Sequence, residues 1–255
     1  MTTSPLLVTG GTGTLGKLLV PLLRDAGCDV RVLSRHSHEP TDGVEYVACD
    51  LLKGEGIAAA VDGAETVVHL AGGAKGDDEA TRNLMEAAAR AGVRHVVYIS
   101  VIGADRLPLG YFRAKLGAEQ AVAASGVPYT TLRAAQFHDL VLNVARTMAK
   151  LPVVPIPGGL RFQPVDARDV AARLCELTLA EPAGLVPDLA GPRVYGMAEL
   201  LRGYLDARGK HRLTLPVRMP GKAGRAYRAA ENLTLEGATQ GTRTWEDFLK
   251  ERVTA

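Results

Sequence analysis

Tyr111 and Lys115 in "YFRAK" stand four residues apart, so on a helix they share a face. A lysine ammonium beside a phenol favours the phenolate and makes tyrosine a usable proton donor or acceptor near neutral pH. His138 follows "RAAQF" at an expected strand end, where an imidazole can protonate a carbonyl or quinone oxygen as hydride arrives; a packed, hydrogen-bonded wall residue is the rival reading. Near the N-terminus, "VTGGTGTLG" holds Gly10, Gly13 and Gly16 at GxxGxxG spacing, and Gly11, Gly13 and Gly16 at GxGxxG spacing. Such a loop brings bare backbone against a diphosphate, and the following helix turns its positive end toward the anion. In "RVLSR", Ser34 and Arg35 stand where an acidic residue usually bonds the ribose hydroxyls of NAD, and no carboxylate follows until Glu39. A guanidinium suits a 2′-phosphate, which points to NADP(H), while a merely solvated Arg35 is the bland alternative. Asp50 in "ACDL" suits either the adenine edge or a tight turn.

The elements that position these residues follow from periodicity. Leu6, Leu7 and Val8 form a short apolar run, and Leu15, Leu18, Leu19, Leu22 and Leu23 then recur at helical spacing. The order is strand, glycine turn, helix. Pro21 lies inside that helix, where a kink is expected. Gly27, Gly92 and Gly126 each fall between a helical stretch and a β-branched apolar one, as helix C-terminal glycines do. Further strands are expected at Val44 to Ala48 and Thr66 to Leu70. Strands alternating with helices, and apolar without strict alternation, imply an α/β protein with a Rossmann-type, doubly wound parallel sheet. Beyond about Arg133 the rhythm changes. "RFQPVDARDVAARLCELTLA" reads as a strand and a helix capped near Asp166, while "MAELLRGYLDARG" and "TWEDFLKERV" read as helices. One domain over residues 1–255 is expected, its C-terminal part from about 184 forming a small substrate-covering region. Between Arg208 and Arg228 seven Lys or Arg residues occur without an acid, read as an exposed, solvated loop.

These stretches resemble the atypical short-chain dehydrogenase/reductases, and among them the NmrA-like NAD(P)-binding family. "VTGGTGTLG", "VRVLSR", "ACDL", "VVHLAG", "VVYISVIGAD", "YFRAKLGAEQAVAASGVPYTTLRAAQFHD" and "PVDARDVA" carry the resemblance, in family order, over about residues 5 to 175. It implies that Gly10, Gly13 and Gly16 cradle the pyrophosphate, that Arg35 meets the 2′-phosphate and that Lys115 bonds the nicotinamide ribose. Thr12, Thr14, Leu15, Ser34, Asp50, Leu51, Ala71, Gly72 and Ser100 complete the expected cofactor contacts. One position departs from the pattern: where relatives with a full triad carry Ser or Thr two residues beyond the strand-end serine, Ser100, this chain has Ile102.

Composition narrows the function. A net charge of +2 gives no general reason to expect nucleic acid or a membrane surface as partner. The apolar runs fall short of the ~18 residues of a membrane span, and no secretion signal is evident, so a cytoplasmic protein is expected. Three cysteines without ligand spacing argue against disulfides and a bound metal. The expected function is reduction of a small carbonyl, quinone or enone compound by NADPH, with Tyr111, Lys115 and His138 as catalytic candidates. The rival is a non-catalytic NADP(H) sensor that regulates a partner. A nucleotide-sugar epimerase or dehydratase ranks third, because the C-terminal region is short for a sugar-nucleotide domain. A small-molecule substrate is the expected partner, and a homodimer is left open.

Overall fold

The computed structural model describes residues 5–36, 39, 43–73 and 76–253. The chain divides into two compact units. The first comprises Met1–Ser100, Arg113–Arg133 and Val170–Val186, and the second Val101–Phe112, Ala134–Asp169 and Pro187–Ala255.

The first part of the chain runs β1 (Leu6–Thr9), α1 (Gly16–Asp25), β2 (Val30–Ser34), β3 (Val44–Ala48), α2 (Ile57–Val61), β4 (Thr66–His69), α3 (Asp77–Ala91), β5 (His95–Val101), α4 (Gly110–Ala124) and β6 (Tyr129–Ala134). Its parallel sheet has the order β6-β5-β4-β1-β2-β3. Leu6 of β1 is in register with Val30 of β2 on one side and Thr66 of β4 on the other, so the strand order reverses at β1. The strands are buried on both faces: on one, Leu7, Val67 and Val96 pack in one cluster with Leu84 of α3 and Ala118 and Val122 of α4, and on the other Val8, Val68 and Val97 are fully buried. Gly27, Gly92 and Gly126 adopt φ of +85°, +73° and +75°, the left-handed region a helix-ending glycine supplies. The helix α1 includes Pro21, which lies on its exposed side.

The chain continues with α5 (His138–Met148), β7 (Val153–Pro157), β8 (Arg161–Phe162), α6 (Ala167–Leu179), β9 (Gly184–Leu185), β10 (Leu189–Ala190), β11 (Tyr195–Gly196), α7 (Met197–Ala207), β12 (Leu213–Val217), α8 (Gly221–Arg228), β13 (Thr239–Gln240) and α9 (Trp245–Arg252). β9 pairs with β6, β10 takes up the last residue of β6 at Ala134, and β13 pairs with β10. The second unit has its own core, in which Leu142 and Val154 meet Tyr195, Leu200, Trp245 and Phe248. Besides the expected tail, this unit takes in residues 101–112 and 134–169. Two local readings are corrected. The basic run is not a loop: β12 pairs in parallel with β7 and α8 follows. His138 does not end a strand but opens α5. Asp166 caps α6 as expected, its Oδ1 accepting the Arg168 backbone N–H at 2.9 Å. Among the described residues no helix is long and apolar enough to cross a membrane.

Candidate cofactor site

A doubly wound sheet binds its ligand outside the carboxyl ends of the strands where their order reverses. At that place the glycine loop after β1 and the Leu70–Gly73 stretch after β4 border a cleft of about 530 Å³. The glycines divide the work. A Cβ on Gly10 (φ +69°) would stand 2.7 Å from the Ala71 nitrogen. One on Gly11 would meet the Val32 side chain at 2.7 Å, and one on Gly16 the Gly10 oxygen at 2.4 Å. These three hold the loop close against β4, β2 and α1. Gly13 differs: its Cβ would find only the Gly10 oxygen, at 3.2 Å, and otherwise the cleft. Gly13 thus leaves bare backbone where a diphosphate needs close approach, and the site fits a dinucleotide.

Nine of the expected cofactor contacts line this cleft: Gly10, Thr12 and Gly13 from the first loop, Ser34 and Arg35 after β2, Asp50 and Leu51 after β3, and Ala71 and Gly72 after β4. Arg35 is exposed. Asp50 also forms a tight turn, its Oδ1 accepting the Leu52 and Lys53 N–H groups at 3.0 and 3.2 Å. Thr14 is exposed and Leu15 buried, and the cleft lining includes neither. Gly16 supports the loop from behind. Cys49, also in the cleft, is kept a thiol: burial, with the Asp50 charge behind it, pushes it up to about 11.

Behind the β4 loop lies a chain of hydrogen bonds whose proton positions are fixed by its ends. Thr9 Oγ1 accepts the Leu70 and Ala71 N–H groups, so its own proton goes to His69 Nδ1 at 2.7 Å. Thr81 Oγ1 donates to the Asp77 carbonyl at 2.6 Å and must therefore accept from His69 Nε2, at 3.0 Å. The ring is a neutral Nε2–H tautomer. Burial, with the Lys115 charge adding to it, pushes His69 down to about 3. His69 is thus a satisfied strand-end residue, stacked on Tyr98 at 5.3 Å.

Lys115 is buried on α4, with Nζ 3.0 Å from Asp77 Oδ2 and 5.4 Å from the Tyr98 ring centre. A Cβ on Gly72 would stand 2.9 Å from that Nζ, so the ammonium adjoins the cleft wall through a residue without a side chain. Asp77, which lines the cleft, and Gly73, whose N–H it accepts, escaped the sequence reading. The glycine-rich "AGGAKGDD" after β4 was their signal. Tyr111 lies one turn before Lys115 on α4 and is 40% exposed. Ser100 is buried with its Oγ unpartnered, and Ile102 is buried. His138 has no exposed surface: it packs on Trp245 and Phe248, with Nδ1 3.9 Å from Asp166 Oδ2.

The sequence matches a family described as NAD(P)H-binding over residues 10–176. It is 34% identical over 195 residues to the (4-alkanoyl-5-oxo-2,5-dihydrofuran-3-yl)methyl phosphate reductase of Streptomyces griseus, covering 73% of this chain and 68% of that protein. Over 212 residues it is 28% identical to the NAD(P)H azoreductase of Xenophilus azovorans, covering 80% and 74%. The Escherichia coli NADPH-dependent quinone oxidoreductase QOR2, solved with NADPH, aligns at a TM-score of 0.82 and 20% identity over 97% of this chain and 99% of that one. The chain belongs to the NAD(P)H-binding family, and its fold is the Rossmann type that its sequence implies.

Proposed function

We propose that this protein is an NADPH-dependent reductase of small carbonyl, quinone or enone compounds. The observation that carries the reading is the cleft at the strand-order reversal, with bare backbone at Gly13 and Arg35 standing at the end of β2 in place of an acid. Relatives named as reductases support the reaction class. Bound NADPH supplies the hydride. Gly10 and Gly13 hold the pyrophosphate, Arg35 the 2′-phosphate and Lys115 the nicotinamide ribose, with Asp77 keeping the Lys115 ammonium at the cleft wall. Tyr111, exposed and one helical turn away, is the proton donor. His138 is set aside from that role, because a fully buried ring cannot touch a substrate.

Calorimetry with NADPH and NADH tests the cofactor preference. Charge-assisted bonds to a phosphate are worth about 1.5 to 3 kcal/mol, roughly tenfold or more in affinity, which Arg35→Ala should remove for NADPH alone. Equal affinity of the unaltered protein for both cofactors sinks the preference. Turnover is tested by NADPH consumption against a panel of quinones, aldehydes, ketones and enones. Tyr111→Phe should leave NADPH affinity intact and slow reduction by ~100-fold or more. An NADP(H) sensor is the second reading, favoured by Ile102 and by the buried Ser100 hydroxyl. Tight NADPH binding with no compound reduced, and with altered association with another protein, would put it first.

A further inference from the structure

Apolar residues scattered singly over a surface carry no message, but a contiguous set does. The two-stranded sheet of the second unit has such a set. Val154 and Ile156 of β7 point into the core, 0% and 6% exposed, so Val153, Pro155 and Pro157 alternate onto the opposite face. In the parallel register Leu213, Leu215 and Val217 of β12 stand beside those three, and paired residues share a face. All six are apolar. Val153, Leu213 and Leu215 are 45%, 73% and 56% exposed, and Leu213 is the most exposed of the described large apolar side chains. Cations frame this face at both ends. Lys150, Lys210 and Arg212 precede the strands and Arg218 follows β12, all of them exposed. The stretches that carry the sheet, 140–165 and 207–230, hold three and seven Lys or Arg and no acid, a local charge that the net +2 of the whole chain conceals.

We propose that this face is a docking surface for an anionic lipid bilayer, its apolar side chains entering between the headgroups and the flanking cations meeting the lipid phosphates. Two other occupants fit less well. A second copy stacked on the face would oppose like charges, because cations stand at both of its ends. An added peptide strand would find a poor edge. Val217 turns its carbonyl to β7, accepting the Gly158 N–H at 2.9 Å, so Pro216, next along, faces the free edge with no N–H to give. The inference goes beyond the reductase reading and does not depend on it.

The full-length protein is sedimented with vesicles of phosphatidylcholine alone and with vesicles that include phosphatidylglycerol, at low and at high salt. Each cation near an anionic surface is worth about fivefold in affinity. The phosphatidylglycerol vesicles should therefore bind at least ~20-fold tighter at low salt and lose most of that advantage at about 0.5 M. Lys150→Gln with Lys210→Gln should cost roughly 20-fold on those vesicles. Leu213→Ser with Leu215→Ser, at positions outside the core, should cost ~10-fold or more and leave the salt dependence unchanged. Trp245, the single tryptophan, lies in the core with Val154 and Ile156, and its emission verifies that the second unit of each variant is folded. The proposal is overturned by no sedimentation with either vesicle, by equal binding to both, or by a folded leucine variant that binds as the parent does. A dimer that the leucine substitutions split, without vesicle binding, assigns the face to a second copy and overturns it too.

Discussion

At the scale of single residues, the hydrogen bonds around one buried histidine match a single protonation state. His69 is held between two threonine hydroxyls as a neutral ring, and its folded value near 3 lies below the ~6.5 of an unfolded histidine. Between those values the unfolded chain binds the extra proton and the folded chain does not. The stability His69 contributes is therefore complete above pH ~6.5 and is lost as pH falls toward 3, by at most ~1.4 kcal/mol per pH unit. Urea unfolding at pH 7, 6 and 5 should show this decline, and His69→Gln should flatten it. An unchanged slope in the variant would mean that other groups carry the acid sensitivity. The Lys115–Asp77 pair is less forgiving. Either partner alone would be a buried, uncompensated charge.

At the scale of elements, α6 shows how one side chain does two jobs. Asp166 caps the helix and also pairs with the Arg168 guanidinium, at 2.9 Å to Nε and 2.7 Å to Nη2. Burial alone would raise its carboxyl, but the hydrogen bonds and charge of Arg168 reverse that and hold it far below the usual carboxylate range. This contribution is present above the unfolded carboxylate value of ~3.9 and is lost as pH falls through the folded one. Asp166→Ala should cost about 2 to 4 kcal/mol, by loss of cap and pair together, and lower Tm by several degrees. Asp166→Asn keeps the cap and should fall between. Thermal unfolding of the three proteins decides it. The cap was legible in the sequence because Asp166 and the apolar positions after it are neighbours along the chain. The same locality exposed the glycine loop, the strands Val44–Ala48 and Thr66–His69, and the helix-ending glycines. β12 and α8 were not legible. β12 owes its order to β7, some sixty residues earlier, and its own residues are largely exposed. α8 buries only Gly224 and Ala226, which leaves no apolar period to read. For His138, "RAAQF" fitted the strand that precedes it, and only tertiary packing shows that the ring begins a helix and is enclosed by aromatic residues from α9.

At the scale of the whole molecule, neither unit is one stretch of chain. A fragment of residues 1–186 would keep every segment of the cofactor-cleft unit but strip Leu142 and Val154 of their covering residues Tyr195, Leu200, Trp245 and Phe248. It should retain NADPH binding while 134–169 becomes open to protease and to apolar dyes. Limited proteolysis with and without NADPH would show this, and a protease-resistant 134–169 in the fragment would contradict it. The discontinuity also bears on how such a protein can change over generations. A single recombination event exchanges one continuous block of gene, whereas the second unit is written in three separate blocks. Swapping it wholesale would require several coordinated exchanges, so the unit is more readily altered by point changes, one side chain at a time.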